Sequence, residues 1–347
     1  MFDNEIRQIR SHNRKALRDL DALLLKEGIE KDGNLDYTVG LFDENDNLMA
    51  TGSAFMNTLR CLAVDSKYQG EGLLNKIITH LLQYQLEKGN SHVFLYTKCD
   101  KAKFFESLGF HEIVRVENRV VFMENKRTGF ENYLKKLAST KTEGAQGAIV
   151  MNANAFTKGH LYLVETAAKM CDTLHLFAVS EDASLVPFKS RMKLIKEGTA
   201  HLDNIIYHET GSYLISSATF PSYFLKDADI VAEAHTRLDM EIFGRIAKAV
   251  GITKRFAGEE KTSRVTAIYN ETMEKVLPEF GVEAVIIPRL EQENKAISAS
   301  NVRLALKNDD FEALKSLVPQ TTYDFFMTDE GKAVIEKIKN ADDVVHH

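Results

Sequence analysis

The chain contains no tryptophan, five prolines and only three cysteines among its 347 residues. Cys61, Cys99 and Cys171 are far apart and form no CxxC pair and no cysteine–histidine pattern, so we expect reduced thiols and no structural zinc site. No apolar run approaches the roughly 20 residues of a membrane-spanning helix. The N-terminal segment MFDNEIRQIRSHNRK also lacks the apolar region of an export signal. These absences predict a cytoplasmic protein that does not interact with a membrane.

The composition is that of a globular protein, with 44% apolar and 27% charged residues and a net charge of −6. Because the charges are of mixed sign and the net charge is negative, we expect no general binding to nucleic acid. The chain is also longer than a single hydrophobic core usually supports, which predicts two domains.

The spacing of apolar residues changes in character near residue 146. Before that point, short strand patterns surround two predicted helices, at 72–88 and 101–108, and a third, short helix is predicted at 131–137. After it, short apolar runs alternate with helical patterns, and such alternation predicts a doubly wound parallel sheet. We therefore expect an α/β protein with a mixed α+β domain over residues 1–127, a polar linker over 128–146 and a Rossmann-like domain over 147–347.

A glycine-rich turn, Gln69-Gly70-Glu71-Gly72, follows a predicted strand in the first half and precedes a predicted helix. Glycines at such a point let the backbone approach a pyrophosphate, which the N–H groups of the helix start can bind. A plain glycine-capped turn fits this short pattern equally well. Together with the downstream segment FFESLGF (Phe104–Phe110), however, the turn resembles the coenzyme A region of the GNAT N-acetyltransferases.

That resemblance covers about residues 1–125 and implies a GNAT-like fold with a cleft for a coenzyme A derivative. Leu74 stands where the GNAT pattern has a small residue, and no general base can be singled out from the sequence. Our hypothesis is that Gln69, Gly70 and Gly72 bind a CoA-like arm without catalysing N-acetylation.

The second half opens with an apolar run, a small polar turn and a helix start, GAIVMNANAFTKGH (residues 147–160). The N–H groups and positive dipole end of a helix start bind anions, and His160 can donate a hydrogen bond to a phosphate there. The alternative interpretation is a histidine at an ordinary helix start. Thr157-Lys158-Gly159-His160 resembles the T-x-G-H signature of the nucleotidyltransferase superfamily, which includes pantetheine-phosphate adenylyltransferase. Asn154-Ala155 replaces the usual Asp-Pro of that signature.

A second segment, Ile297-Ser298-Ala299-Ser300-Asn301-Val302-Arg303, resembles the I-S-S-T-x-x-R motif of the same superfamily. Ser298 suits a helix N-cap, which leaves Ser300 and Arg303 near the first turn for a phosphate. Ordinary helix capping is the alternative interpretation.

The resemblance to the nucleotidyltransferases also implies roles for residues elsewhere in the second half. Gly258 and Glu259 end a predicted strand where that superfamily contacts ribose and adenine, and a solvated strand-end loop is the alternative. Lys189 and Arg191 open a helix and are candidate phosphate clamps, with exposed surface cations as the alternative. The predicted ATP-binding residues are Asn152, Asn154, Phe156, Gly159, His160, Gly258, Glu259, Ser298 and Ser300.

The GNAT-like half is followed by the segments VMNANAFTKGH, SSATFPSYF, RFAGEE and AISASNVR, in this order. This arrangement resembles the citrate (pro-3S)-lyase ligase family over nearly the whole chain. The resemblance implies that acetate and ATP give acetyl-AMP and pyrophosphate, with Mg²⁺ accompanying ATP. The acetyl group then passes to the thiol of the phosphoribosyl-dephospho-CoA arm on the acyl carrier subunit of citrate lyase. The catalytic residues expected on this basis are His160, Thr157, Ser300, Arg303, Lys189 and Arg191.

Two other functions remain open at this stage. One is a bifunctional enzyme that joins an acetyltransferase to a pantetheine or nicotinamide nucleotide adenylyltransferase. The other is a non-catalytic nucleotide-binding regulator that presents the GNAT-like half to a partner.

Overall fold

The computed structural model describes residues 5–216, 219–221, 225, 228–259, 264–292 and 295–341. The chain divides into two compact units, and the segment Pro221–Ala234 is grouped with the first. The first unit otherwise ends at Glu131, and the second comprises Asn132–Phe220 and the residues from His235 onward. Within the described ranges, no helix has both the length and the apolar character needed to cross a membrane.

The first unit is built on a seven-stranded sheet. Its elements, in chain order, are β1 (Ile6–Gln8), α1 (Arg14–Lys26), β2 (Tyr37–Phe42), β3 (Leu48–Phe55), β4 (Thr58–Val64), α2 (Leu73–Glu87), β5 (Phe94–Thr97), α3 (Ala102–Ser107), β6 (His111–Val116) and β7 (Val120–Glu124). The strand order is β1-β2-β3-β4-β5-β7-β6. The neighbours β4 and β5 are parallel, and the other neighbouring strands are antiparallel.

The second unit is built on a five-stranded parallel sheet. One boundary between the units falls within helix α4 (Gly129–Ala138), and another falls within the later helix Ala228–Val250, whose residues up to Ala234 are grouped with the first unit. The further elements of the second unit are β8 (Gln146–Met151), α5 (Lys158–Ala168), β9 (Thr173–Ala178), α6 (Phe188–Gly198), β10 (Ile205–Glu209), α7 (Ala228–Val250), β11 (Lys254–Gly258), α8 (Arg264–Val276), β12 (Glu283–Ile287), β13 (Glu291–Gln292), β14 (Lys295–Ala296), α9 (Ala299–Lys307), α10 (Phe311–Leu317), α11 (Gln320–Met327) and α12 (Asp329–Asn340). The parallel order is β10-β9-β8-β11-β12, and β13 and β14 form a separate antiparallel pair.

The order of the parallel strands places a topological switch point beside β8. The chain runs outward from β8 to β9 and β10 on one side, and returns to the other side of β8 for β11 and β12. In open α/β sheets, ligands bind at the carboxyl ends of the strands where the order reverses. The loops after β8 and β11 therefore lie at the position where this fold class binds its ligands.

The predicted α/β fold class is confirmed by these two sheets, and the structure also contains elements that the sequence analysis does not predict. Helix α1 is one of them, although Asn13 caps it and Leu20, Leu23 and Leu24 give it a buried face. Helix α7 is the other long element, and its apolar residues recur at helical spacing. The short helix predicted at 131–137 corresponds to α4, which lies with the first residue of β8 in the segment predicted as a linker, 128–146.

Two histidines form a buried chain of hydrogen bonds across the parallel sheet. The Nδ1 atom of His175 lies 2.9 Å from the Nε2 atom of His208, and the other ring nitrogen of His175 lies 2.8 Å from the Oε1 atom of Gln146. Burial lowers the pKa of each imidazole to about 4, and for His208 the neighbouring His175 ring and the charge of Lys136 contribute to this lowering. The folded protein therefore keeps both rings neutral.

This pair predicts a loss of stability in mild acid. The unfolded chain binds protons as the pH falls below about 6.5, whereas the folded chain binds them only near pH 4. The contribution of the two neutral histidines to the free energy of unfolding is therefore fully present above the unfolded pKa. It decreases as the pH falls between these two values, by up to about 1.4 kcal/mol per pH unit for each histidine. We expect His208→Gln to reduce this slope in urea unfolding, and the exposed His12→Gln to leave it unchanged; equal slopes in all three proteins would contradict this.

Candidate active site

The loop between β8 and α5, residues 152–160, is called the signature loop here. Its last residues form a reciprocal cap at the start of α5. The Thr157 hydroxyl accepts a hydrogen bond from the His160 N–H at 3.1 Å, and the Nδ1 atom of His160 accepts one from the Thr157 N–H at 3.1 Å. Such a cap satisfies two backbone donors that a helix start otherwise leaves without partners. It also fixes the orientation of the imidazole ring.

The same cap defines the tautomer of His160. Because Nδ1 accepts a hydrogen bond from a backbone N–H, the ring proton of the neutral imidazole resides on Nε2. Burial of the ring, assisted by the charge of Arg289, lowers the pKa of His160 to about 4. His160 is therefore a neutral hydrogen-bond donor near pH 7, suited to an oxygen on which negative charge develops.

Phe156 and Gly159 explain how this ring and its helix start are held. Phe156 has no exposed surface, and its ring stacks on that of His160 with centroids 5.9 Å apart. A Cβ atom on Gly159 would lie 3.1 Å from the carbonyl oxygen of Ile297, so glycine permits the close contact of these two segments. Phe156 thus supports His160 from the core, and Gly159 brings the signature loop against the segment that precedes α9.

The second signature segment, residues 297–303, leads into α9. Ser298 is the N-cap, and its hydroxyl accepts a hydrogen bond from the Asn301 N–H at 3.1 Å. The buried Arg303 donates to the backbone carbonyl of Asn154 and to the Ser300 hydroxyl, the latter at 3.3 Å. The Asn154 side chain in turn accepts from the Val186 N–H at 3.0 Å. These bonds connect the two segments that the sequence places far apart.

Lys158 provides a further connection between them. Its ammonium group donates to the carbonyls of Lys315 and Ser316, at 3.1 and 2.8 Å, near the C-terminal end of α10. A cation at this end of a helix is stabilised by the helix dipole. Since α10 follows directly on α9, Lys158 attaches the signature loop to the helices that carry the second signature segment.

Arg191 and Lys189 lie on the same helix in opposite environments. Arg191 is fully buried, and its guanidinium donates to the carbonyls of Asn152, Val179, Glu181 and Val186 at 2.6–3.0 Å and to the Asn152 side chain at 2.8 Å. Burial lowers its pKa to about 10. Lys189 is exposed. Arg191 therefore organises the backbone around the signature loop, and of these two predicted clamps only Lys189 is exposed to a ligand.

The loop after β11 lies on the other side of the switch point. The Glu259 N–H donates to the Ile287 carbonyl at 2.8 Å, and the Gly258 carbonyl accepts from the Asn270 side chain at 3.2 Å. Among the described residues, no atom lies within 4 Å of a Cβ atom placed on Gly258.

Arg289 is a candidate site residue that the sequence analysis does not predict. It follows β12, and its charge acts on the imidazole of His160. The adjacent Leu290 carbonyl accepts from the Ile297 N–H at 3.4 Å, so Arg289 lies next to the second signature segment. The antiparallel pairing of β13 with β14 places Leu290 opposite Ile297, and no local motif marks Arg289. Of the segment SSATFPSYF, residues 217, 218 and 222–224 lie outside the described residues, as does Glu260 of RFAGEE.

The first unit carries its own cleft. A cavity of about 490 Å³ is lined by all three predicted arm-binding residues, Gln69, Gly70 and Gly72, and by Leu74. Gly70 and Gly72 have φ angles of +89° and +71°, a conformation that favours glycine. Gly72 is the N-cap of α2.

The second unit is a doubly wound, Rossmann-like α/β domain, and its switch point carries the T-x-G-H helix start and the serine-capped I-S-x-S-x-x-R helix. Residues 146–326 match the family described as the citrate lyase ligase C-terminal domain. The chain is 39% identical over 314 residues to the citrate (pro-3S)-lyase ligase of Klebsiella pneumoniae, and the alignment covers 89% of this chain and 92% of that protein. The chain therefore belongs to the citrate lyase ligase family and is an enzyme, which confirms the resemblance found in the sequence.

Two solved structures are also similar to parts of the chain. Pantothenate synthetase from Thermus thermophilus is 16% identical, with a TM-score of 0.33, and the alignment covers 53% of this chain and 79% of that one. The ribosomal-protein-S18-alanine N-acetyltransferase of Escherichia coli is 18% identical, with a TM-score of 0.28, and the alignment covers 35% of this chain and 91% of that one. Both alignments are too weak to bear on activity.

The contrast between Arg191 and Lys189 can be tested by two matched substitutions. Arg191→Met leaves several buried carbonyls without a donor, and we expect it to lower the free energy of unfolding by more than about 3 kcal/mol. Lys189→Met removes an exposed cation, and we expect a change within about 0.5 kcal/mol. Urea unfolding of both variants measures this. Wild-type stability of Arg191→Met, with weakened ATP binding, would contradict the organising role and favour a clamp.

Proposed function

We propose that the protein is an ATP-dependent ligase that activates acetate and transfers the acetyl group to the acyl carrier subunit of citrate lyase. In the first step a carboxylate oxygen of acetate attacks the α-phosphorus of ATP. An oxygen–phosphorus bond forms, the bond to the bridging oxygen of the β-phosphate breaks, and acetyl-AMP and pyrophosphate result. In the second step the thiol of the phosphoribosyl-dephospho-CoA arm attacks the acetyl carbon, and AMP leaves.

The observation that carries the proposal is the neutral His160 at the switch point of the parallel sheet. Phosphoryl and nucleotidyl transfer require little covalent chemistry from the protein, so positioning and charge stabilisation dominate. The reciprocal cap with Thr157 holds the ring, and Nε2–H remains as a donor for the charge that develops on the α-phosphate. Acetate is already an anion, so the first step needs no general base.

The other predicted residues have graded roles in this proposal. Ser300 contributes to the phosphate site, with Lys189 and Arg289 as cations near the triphosphate. The buried Thr157 acts through the cap that orients His160 at that site. Arg303 and Asn154 act mainly by holding the two signature segments together, because each is already bonded within the protein. Gly159 allows the start of α5 to lie close to the backbone of Ile297, and Ser298 caps the helix that carries Ser300. The remaining predicted ATP contacts are Asn152, Gly258 and Glu259, while Phe156 supports His160.

ATP and its Mg²⁺ fit this set of residues. The switch-point loops offer helix-start N–H groups and cations for phosphates. We place the nucleoside beside Gly258, where no described residue lies within 4 Å of an added Cβ atom. Mg²⁺ enters the proposal as the ion bound to the triphosphate, where it neutralises charge on the leaving pyrophosphate.

In this proposal the first unit binds the second substrate, the prosthetic arm of the carrier subunit. The arm is a coenzyme A derivative, and Gln69, Gly70 and Gly72 line a cavity beside a helix start that can bind its diphosphate. We assign carrier-arm binding to residues 1–127 and acetate activation to residues 147–347, with residues 128–146 between them.

Exchange of isotope between pyrophosphate and ATP tests the activation step. We expect exchange that requires acetate, and we expect His160→Ala to reduce it by about 100- to 1000-fold, the usual effect of removing one donor to a transition-state oxyanion. His201→Ala changes an exposed histidine and should retain the wild-type rate. Absence of exchange with acetate, together with exchange that requires a phosphorylated acceptor such as phosphopantetheine, would contradict the proposal and favour an adenylyltransferase acting on that acceptor.

A further inference from the structure

Helix α8 is fixed on strand β11 by a buried cluster of polar side chains. Arg255 of β11 lies 3.1 Å from the carboxylate of Asp239 on α7, and both side chains are buried. The Tyr269 hydroxyl of α8 donates to Asp239 and accepts from Arg255. A buried ion pair repays the cost of its desolvation only when its geometry is good and further hydrogen bonds satisfy both partners. The cluster therefore fixes Tyr269, and with it this part of α8, against β11.

Asn270, the next residue of α8, reaches the other end of the same strand. Its side-chain nitrogen donates a hydrogen bond to the carbonyl of Gly258 at 3.2 Å, at the last residue of β11. A glycine places few limits on its own backbone angles, so the direction of its carbonyl depends on the partners that hold it. The half-buried Asn270 is such a partner, and the adjacent cluster fixes the helix from which it reaches.

The bond from Asn270 continues into a further bond between the ends of two strands. Directly after Gly258, the Glu259 N–H donates to the Ile287 carbonyl at 2.8 Å, where β12 ends. The two strands pair in register up to this point, with Gly258 opposite Ile287. The loop after β11 is therefore held from two directions, by α8 through a side chain and by β12 through the backbone. Of these two contacts, only the one from Asn270 can be removed by substitution of a side chain.

We infer that Asn270 is a positioning residue for the nucleoside of ATP, and that it acts through Gly258 and Glu259 without touching the nucleotide. The inference rests on the proposed function, which places the nucleoside beside Gly258. Without the bond from Asn270, the loop after β11 loses one of its two anchors and binds the nucleoside less tightly. His160 is held by its own cap with Thr157, so the chemistry at the α-phosphorus is unchanged once ATP is bound.

Substitution of the amide donor tests this role in the full chain. Asn270→Asp keeps the shape of the side chain, but an ionised carboxylate can only accept hydrogen bonds and repels the Gly258 carbonyl. In acetate-dependent exchange between pyrophosphate and ATP, we expect it to raise the KM for ATP about tenfold. The KM values for acetate and pyrophosphate and the kcat should not change. Asn270→Ala should raise the KM for ATP about threefold, and Glu274→Gln, at an exposed position of the same helix, is the matched control.

Tyr269→Phe separates positioning of the nucleoside from packing of the helix. It removes a hydroxyl from the buried cluster and should lower the midpoint of urea unfolding, but it leaves the bond from Asn270 to Gly258 in place. We therefore expect it to change the KM for ATP by less than about twofold. Calorimetric titration with α,β-methylene-ATP measures the same difference as binding, with about tenfold weaker affinity in Asn270→Asp and wild-type affinity in Tyr269→Phe.

Several results would overturn the inference. One is a folded Asn270→Asp protein with the wild-type KM for ATP and wild-type affinity for the analogue. Another is an equal rise of this KM in Tyr269→Phe, or a fall in kcat without a rise in KM. If neither Asn270 variant folds, the role of Asn270 is structural and the inference also fails. A wild-type protein that binds the analogue but shows no acetate-dependent exchange would refute the proposed function instead, and the titrations would still decide the role of Asn270.

Discussion

The contact between Gly159 and the carbonyl of Ile297 is the constraint on which the candidate active site depends. A Cβ atom at position 159 would lie 3.1 Å from this oxygen, so a larger residue would force the start of α5 and the segment before α9 apart by a few tenths of an ångström. The bond from Arg303 to Asn154 and the bonds from Lys158 to the end of α10 hold the same two segments. The imidazole of His160 and the hydroxyl of Ser300 therefore belong to one site through three separate links.

Much of the charge near this site is used to fix the backbone. Arg191 and Arg303 are both buried and donate to carbonyls around the signature loop. Burying a guanidinium is costly, and the charge-assisted bonds offset that cost only when the carbonyls are held in place. The result is a rigid loop in which the Thr157–His160 cap does not need to reorganise when charge develops on a substrate, which is the condition for effective electrostatic stabilisation.

The local features of the site could be predicted from the sequence, and the features that depend on distant pairing could not. Thr157 and His160 are three residues apart at a helix start, and Ser298 caps α9, so their geometry follows from capping rules. Arg289 was beyond such rules because its position depends on strand pairing, with β12 beside β11 and with β13 on β14, which places Leu290 opposite Ile297. The different environments of Lys189 and Arg191 were accessible in principle, since residues two apart on a helix point in nearly opposite directions. The sequence did not indicate that the buried one would bind carbonyls instead of phosphate.

The central claim is that a carboxylate oxygen of acetate becomes bonded to the α-phosphorus of ATP, and an oxygen label tests this most directly. Acetate labelled with ¹⁸O in both carboxylate positions is incubated with the protein, ATP and the thiol-bearing carrier of citrate lyase, and AMP and pyrophosphate are examined by mass spectrometry. Attack at the α-phosphorus, followed by cleavage of the bond between the acetyl carbon and that oxygen, predicts one ¹⁸O atom in each AMP formed and none in pyrophosphate. Unlabelled AMP, or label found in phosphate released from the γ-position, would contradict the account.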